Sequence, residues 1–162
     1  MRVGLGYDAH KLIPGKGMVL GGIFIESSFS IEAHSDGDVI IHALIDSLLG
    51  ASALGDKGSL FPSSKSEYKG ISSRKLLKEV VLLLNSKKFK IINVDITLIA
   101  QEPNLKAYTD TIRGNLSEDL KTGIDFISCK ATTTDGLGFE GLKKGISCIA
   151  MSLIEERNLN DI

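Results

Sequence analysis

Apolar and polar residues alternate along the chain with two different periods, and these periods predict its elements. Val3, Leu5 and Tyr7 are spaced two apart, which is typical of a strand because successive side chains point to opposite faces. Gly21–Gly22 separates two short apolar runs and predicts a tight hairpin, since glycine accepts the positive φ of such turns. The remaining patterns predict helices over residues 38–49, 72–87, 105–120 and 146–154 and strands over residues 92–98 and 127–131.

The order of these elements predicts the fold class. Strand, hairpin, helix, helix, strand, helix, strand and helix favour an α/β fold of the α+β two-layer kind, a sandwich in which helices pack on one face of one sheet. Asn93, Asp95 and Thr97 alternate along a predicted strand and suit a monomer core poorly. We therefore expect a bare second sheet face that oligomerisation covers. The length of 162 residues, with no linker or repeat, predicts a single domain over residues 1–162.

Composition and charge narrow the function classes. Nineteen Lys and Arg against 20 Asp and Glu leave a net charge of -1, which argues against a dedicated nucleic-acid binder. The longest apolar runs, such as residues 80–84, are far too short to span a bilayer, and the first residues lack the apolar region of a signal peptide. Cys129 and Cys148 are too few for a disulfide scaffold and suit a reducing cytoplasm. We expect a cytoplasmic protein that binds no nucleic acid and no membrane.

One group of residues has the composition of a metal site. Asp8 and His10 are two apart on the first predicted strand, so their side chains point to the same side. With His42 on the first predicted helix they would supply two imidazoles and one carboxylate, the donor set of catalytic zinc sites with an open fourth position. The alternative is that these are unrelated polar residues. All three histidines of the chain, including His34, fall in its first third, which favours a shared site.

Two further segments carry groups that bind anions. In residues 33–38, AHSDGD, His34 and Ser35 come just before a predicted helix, whose first N–H groups attract phosphate; the alternative is a capping turn with a solvated histidine. Residues 130–141, KATTTDGLGFEG, match the spacing G-x-G-x-x-G, but the residues after them are predicted helical and offer no second parallel strand for a dinucleotide fold. This segment still offers threonine hydroxyls and Asp135, which could hold Mg²⁺ against phosphates.

Several long motifs in register resemble one enzyme family, the 2-C-methyl-D-erythritol 2,4-cyclodiphosphate synthases. They are GYDAH at 6–10, AHSDGDVIIHALIDSLLGASALGD at 33–56, LFP at 60–62, NVDITLIAQEP at 93–103 and KATTTDGLGFEG at 130–141. The resemblance covers nearly the whole chain. It implies a metal-dependent lyase of the non-mevalonate isoprenoid pathway, which converts 4-diphosphocytidyl-2-C-methyl-D-erythritol 2-phosphate to the cyclodiphosphate and CMP. It also implies a homotrimer in which sheet faces meet and active sites lie between subunits.

The resemblance further implies roles for individual residues. The implied zinc ligands, for one ion per subunit, are Asp8, His10 and His42. His34 and Thr133 match catalytic groups that stabilise the phosphates, and Asp135 matches the position of a second divalent ion, Mg²⁺ or Mn²⁺, bound with the substrate diphosphate. The implied substrate-binding set is Asp8, His10, His34, Ser35, Asp56, Lys57, Gly58, Phe61, Pro62, Ser63, Ser64, Lys65, Ala100, Gln101, Glu102, Pro103, Asn104, Leu105, Lys106, Thr132, Thr133, Thr134, Asp135 and Phe139.

Four residues depart from the commonest pattern of that family. They are Asp135 in place of Glu, Asn104 in place of Lys, Ser63 in place of Asp and Leu142 in place of Arg. None belongs to the implied zinc set. The rival interpretations are a metal- and nucleotide-binding regulatory protein without turnover, and a purely structural module. The zinc set together with His34 and Thr133 favours the enzyme, because a binding protein would not need all of them.

Overall fold

The computed structural model describes residues 1–157 of the chain. The last five residues of the predicted domain, 158–162, lie outside the described residues. The described strands are β1 (Arg2–Pro14), β2 (Gly17–Leu20), β3 (Ile23–Glu26), β4 (Phe29–Ile31), β5 (Phe89–Ile99), β6 (Ile127–Thr132) and β7 (Gly145–Glu156). The described helices are α1 (Val39–Ser52), α2 (Lys57–Leu60), α3 (Ser73–Ser86), α4 (Thr109–Leu120) and α5 (Gly138–Gly141).

Within residues 1–157 the main sheet has the strand order β4-β1-β7-β5-β6, and β2 and β3 form a separate hairpin. β7 pairs antiparallel with both β1 and β5, whereas β5 and β6 are parallel. The longer helices, α1, α3 and α4, pack on one face of the sheet and enclose a continuous apolar core. This architecture confirms the predicted two-layer α+β fold. The hairpin at Gly21–Gly22 is also confirmed, because both glycines adopt positive φ.

The predicted final helix over residues 146–154 is wrong, because Gly145–Glu156 form strand β7 in the middle of the sheet. The residues that face the helices alternate along it: Ile146, Cys148, Ala150, Ser152 and Ile154 are all buried. Ile149 and Met151 point to the opposite face and are partly exposed. β7 runs antiparallel to β5, and β5 is parallel to β6. Within residues 1–157 the glycine-rich segment after β6 is therefore followed by no second parallel strand, because the next element is an antiparallel strand and not the predicted helix.

Small residues on β1 set the distance between the sheet and α1. A Cβ atom at Gly4 would overlap the carbonyl oxygen of Ser47, and one at Gly6 would overlap the carbonyl oxygen of Ala43. Only glycine therefore allows α1 to lie this close to β1. This close packing brings His42, in the first turn of α1, beside the second half of β1.

A buried carboxyl group fixes the start of α1. The Asp38 side chain is the N-cap of the helix and accepts a hydrogen bond from the Ile41 N–H. It also accepts hydrogen bonds from the N–H groups of Gly21 and Gly22, at 2.9 and 2.7 Å. A single side chain thus ties the β2–β3 hairpin to the helix that carries His42.

The sheet face away from the helices is exposed, as predicted. Its β1 side is apolar, since Val3 and Leu5 are each 64% exposed and Tyr7 is 55% exposed. Its β5 side is polar and includes Asn93 and an ion pair between Asp95 and Lys130. No helix among residues 1–157 combines the length and the apolar character that crossing a membrane requires.

Candidate metal centre and active site

Three side chains meet between the second half of β1 and the first turn of α1. Asp8 Oδ2 lies 2.9 Å from His10 Nε2 and 3.1 Å from His42 Nδ1, and the two ring nitrogens are 3.1 Å apart. His42 is buried, while Asp8 and His10 are partly exposed. Two imidazole nitrogens and one carboxylate oxygen at such mutual distances can hold a divalent metal ion and leave a coordination position open. The structure thus brings together the three predicted ligands.

The electrostatic environment favours the metal-binding forms of these side chains. Burial raises the pKa of Asp8, but the adjacent His10 and His42 rings and the positive charge of Lys57 outweigh burial and hold that pKa well below its usual range. Burial lowers the pKa of His42, despite the neighbouring Asp8 carboxylate. Metal ligands must be deprotonated. At neutral pH the site therefore contains an ionised carboxylate and a neutral His42 ring.

Lys57 places a cation beside the remaining oxygen of Asp8. Its Nζ lies 3.7 Å from Asp8 Oδ1, whereas the two histidines contact Oδ2. The backbone N–H of Lys57 donates a 2.7 Å hydrogen bond to the Asp46 carboxylate, and Asp56 caps α2 through the Ser59 N–H. These two bonds fix the start of α2, and α2 holds Lys57 against the site.

The second ring nitrogen of His42 contacts hydroxyl groups. Its Nε2 lies 2.9 Å from Ser73 Oγ and 3.2 Å from Ser35 Oγ. Ser73 Oγ donates in turn to Asp36 Oδ1 at 2.5 Å, and the Ser73 N–H donates to Asp36 Oδ2 at 2.8 Å. Sequence reasoning missed Ser73, which comes at a predicted helix start and has no spacing relation to His42. No pattern in the sequence could have identified it.

Two of the three ligands, His10 and His42, line a cavity of about 310 Å³. Seven predicted site residues line it: His10, His34, Ser35, His42, Lys57, Phe61 and Ser63. Sequence reasoning missed the other lining residues: Glu32, Ala33, Tyr68, Lys69, Ile71 and Leu76. Tyr68 packs edge-on against Phe61, with ring centroids 5.6 Å apart. The only sequence signal for this part of the cavity was Tyr68 itself, an aromatic residue within a loop rich in Ser and Lys.

The other predicted site residues on this side of the fold lie nearby without lining the cavity. Asp56 is exposed at the N-cap of α2, and Gly58 lies within α2. Pro62, Ser64 and Lys65 follow in the loop after α2, where Lys65 pairs with Glu67.

A second cavity of about 200 Å³ lies at the ends of the parallel strands β5 and β6. Its predicted residues are Ala100, Gln101, Pro103, Asn104, Leu105, Thr132 and Thr133, and Ala131 completes it. Among residues 1–157, this cavity shares no lining residue with the first, and His34 and Thr133 line different cavities. Gln101 Oε1 is buried and has no hydrogen-bond partner among residues 1–157.

The remaining predicted residues surround this second cavity. Asp135 is exposed, with its Oδ1 3.5 Å from Thr133 Oγ1, and Thr134 bonds the Leu137 carbonyl. Glu102 forms an ion pair with Lys143 at 3.4 Å. Lys106 is exposed, and Phe139 packs against Gly145. Within residues 1–157, Asp135 belongs to no group of three potential metal ligands.

Comparisons with known proteins agree with this geometry. The model of the YgbB family matches residues 1–155. Two bacterial proteins named 2-C-methyl-D-erythritol 2,4-cyclodiphosphate synthase align over 154 residues and 95% of this chain. The protein of Clostridium acetobutylicum is 50% identical and is covered to 99%, and that of Clostridioides difficile is 49% identical and is covered to 96%.

Solved structures extend the similarity to three dimensions. A Plasmodium falciparum IspF in complex with CDP is 38% identical, with a TM-score of 0.85 and 97% of both chains covered. The bifunctional IspDF of Campylobacter jejuni is 35% identical with a TM-score of 0.92 over 97% of this chain, which spans only 42% of that longer protein. With matches of this extent in both sequence and structure, the chain belongs to the YgbB family.

Proposed function

We propose that the protein converts 4-diphosphocytidyl-2-C-methyl-D-erythritol 2-phosphate to 2-C-methyl-D-erythritol 2,4-cyclodiphosphate and CMP, a lyase step of the non-mevalonate isoprenoid pathway. The observation that carries this proposal is the convergence of Asp8, His10 and His42 at a cavity. Support comes from relatives that bear the name of this synthase and from a structural relative described with bound CDP, a cytidine nucleotide.

Asp8, His10 and His42 would hold one Zn²⁺ per subunit, because their donor set suits this ion. When bound, the ion supplies positive charge that polarises a phosphoryl group. His34, Ser35 and Lys57 line the same cavity and offer hydrogen-bond donors to phosphate and hydroxyl oxygens. Phosphoryl transfer depends mainly on positioning and charge neutralisation. This set of donors therefore meets the needs of the reaction without a protein nucleophile.

In the proposed reaction an oxygen of the 2-phosphate attacks the β-phosphorus. The bond between that phosphorus and the bridging oxygen breaks, and CMP leaves with the electron pair. Both reacting groups belong to one molecule, so a cavity that holds the two ends together supplies a large effective concentration. Phe61 and Tyr68 close one wall of this cavity and restrict the number of ways in which the chain of the substrate can fold.

We propose that the second cavity binds the cytidine and the α-phosphate. The buried, unpaired acceptor of Gln101 and the hydroxyls of Thr132 and Thr133 offer polar contacts there. Thr133 would stabilise the phosphates, and Asp135 would share a second ion, Mg²⁺ or Mn²⁺, with the substrate diphosphate. Asp135 is a single exposed carboxylate, so most ligands of that ion would come from the substrate.

We further propose a homotrimer in which each active site combines the metal cavity of one subunit with the nucleotide cavity of its neighbour. The separation of the two cavities on one chain and the exposed apolar face of β1 support this arrangement. In this proposal residues 1–162 act as one domain in the cytoplasm. The free, buried Cys129 and Cys148 fit such a compartment.

The test is incubation of the purified protein with the cytidyl substrate, Zn²⁺ and Mg²⁺, followed by ³¹P NMR and chromatography. We expect equal amounts of CMP and cyclodiphosphate, and no product after the metal is removed with a chelator. The rival interpretation, a regulatory binder, predicts nucleotide binding without CMP release. That outcome would overturn the proposed activity.

A further inference from the structure

We infer that Ser73 and Asp36 form a positioning pair that orients His42 for metal binding and sets its tautomer. This inference rests on the proposed metal site and assigns a role to two side chains outside the ligand set. Ser73 is fully buried in the first turn of α3, and its hydroxyl lies between the Asp36 carboxylate and the His42 ring.

The direction of the hydrogen bonds follows from the chemistry of the three groups. A carboxylate can only accept, so the Ser73 hydroxyl donates its proton to Asp36 Oδ1. The Ser73 oxygen then has only lone pairs to offer His42 Nε2, 2.9 Å away, and the ring must place its proton on that nitrogen. Nδ1, which faces Asp8 and His10, is thereby left with a free lone pair. The pair thus selects the tautomer that a metal ion requires.

Asp36 is itself held rigidly. Its Oδ2 accepts the Ser73 N–H at 2.8 Å, and its Oδ1 also accepts the Asp38 N–H at 3.2 Å. The chain of bonds therefore connects the beginning of α3, the segment before α1 and the metal ligand. Ser35 Oγ also approaches His42 Nε2, but at 3.2 Å and from the cavity wall, where substrate would compete for it.

The principal test compares the Co²⁺ and Zn²⁺ affinities of the wild type and Ser73→Ala, measured by competition with a chelating dye. Ser73→Ala removes the hydroxyl but keeps the backbone bond to Asp36. We expect the affinity for both ions to fall by about ten- to hundredfold, the usual effect of losing an outer-shell partner. Ser52→Ala is the matched control, because Ser52 is also buried but bonds only backbone carbonyls within α1. Its metal affinity should equal that of the wild type.

Two further variants separate positioning from general damage. Asp36→Asn should also bind Co²⁺ and Zn²⁺ more weakly than the wild type. The double variant Asp36→Asn/Ser73→Ala should bind these ions no more weakly than the weaker of the two single variants, because both substitutions act through the same hydroxyl group. Ser73→Thr retains a hydroxyl and should bind metal much like the wild type. Unfolding of the metal-free proteins shows which variants are intact and keeps stability apart from affinity.

The ring tautomer gives an independent readout. The zinc-loaded wild type should show a slowly exchanging Nε2–H signal from His42 in ¹⁵N spectra, and Ser73→Ala should lose it. Unchanged affinity together with an unchanged ring signal in Ser73→Ala would overturn the positioning role alone. A wild type that binds neither ion would overturn the metal site and this inference with it. A wild type that binds metal but releases no CMP would overturn only the proposed reaction.

Discussion

Asp8 and Asp38 are both carboxyl groups largely removed from water, yet their surroundings shift their pKa in opposite directions. For Asp8, two imidazoles and the Lys57 cation outweigh burial and lower the pKa. For Asp38, burial is complete, and three backbone N–H donors offset it only in part, so its pKa is raised to about 7. One carboxyl group is therefore poised to hold a cation, and the other couples the folded structure to pH.

The raised pKa of Asp38 predicts how stability depends on pH. The unfolded chain loses the Asp38 proton near pH 3.8, whereas the folded protein keeps it to about pH 7. The free energy of unfolding should therefore fall as the pH rises through this window, by at most about 4 kcal/mol. Urea unfolding of metal-free wild type and Asp38→Asn at several pH values measures this, since Asn does not titrate. Parallel pH profiles for the two proteins would contradict the prediction.

Replacing individual histidines should separate metal binding from the rest of the chemistry. His42→Ala removes one of three ligands, so we expect the purified variant to contain less than about a tenth of the wild-type zinc while remaining folded. His34 lines the cavity but is not among the converging ligands. His34→Ala should keep its zinc and lose turnover. Elemental analysis measures the zinc content of each variant, and the CMP assay measures its turnover. A full zinc content in His42→Ala would refute the assignment of His42 as a ligand.

β7 shows why the sequence predicts most elements correctly and one wrongly. Ile146, Ile149 and Leu153 fit the spacing of a helix, but the same stretch also alternates with a period of two. A central strand is buried on one face and partly covered on the other, so its pattern approaches a continuous apolar run. Only hydrogen bonding to two neighbouring strands decides between the two patterns. The amphipathic helix α3, which buries a single face, offered no such ambiguity.

The sequence likewise predicts some residues of the candidate site and misses others. Asp8 and His10 could be predicted because a strand places residues two apart on one side, and His42 because few histidines were available. Ser73 could not, because its contact with His42 arises from the packing of α3 near α1, 31 residues away in the chain. No pattern along the chain predicts the separation of the two cavities, which depends on where β5 and β6 end; only the family resemblance, with its active sites between subunits, pointed to it.

The close packing of β1 against α1 can be tested with a pair of glycine variants. Gly6→Ala would force the Ala43 carbonyl away, so we expect a loss of about 3 kcal/mol in stability and weaker metal binding as His42 shifts from Asp8. Gly114 lies exposed in α4, and an added methyl group would meet no atom within 4 Å apart from its chain neighbours and the backbone of its own helix. Gly114→Ala should therefore gain about 0.5–1 kcal/mol. Thermal unfolding measures the stability of each variant, and dye competition measures its metal affinity. If Gly6→Ala and Gly114→Ala changed these two quantities equally, the close contact between β1 and α1 would be ruled out.

The proposed assembly makes a prediction about mixtures of inactive variants. A trimer should give a mass of about three times 17.4 kDa by light scattering. If each active site joins the metal cavity of one subunit to the nucleotide cavity of the next, His42→Ala and Thr133→Ala should be inactive alone. After unfolding and refolding together in equal amounts they should recover about a quarter of wild-type activity, since one site in each mixed trimer is intact. No recovery despite mixed trimers would show that the site lies within one chain.

The position of β7 also determines when the protein can first fold during synthesis. β1 and β5 must wait for β7, which is the last strand of the described chain to leave the ribosome and pairs Arg2 with Ile154. Closing so long a loop is slow, and until it closes two unpaired strand edges stay open to other chains. Nascent chains stalled before residue 145 should therefore be digested rapidly by protease, and chains extended beyond residue 157 and clear of the exit tunnel should resist it. We therefore expect the yield of folded protein to depend on how long the nascent chain waits, with these edges open, before β7 is made.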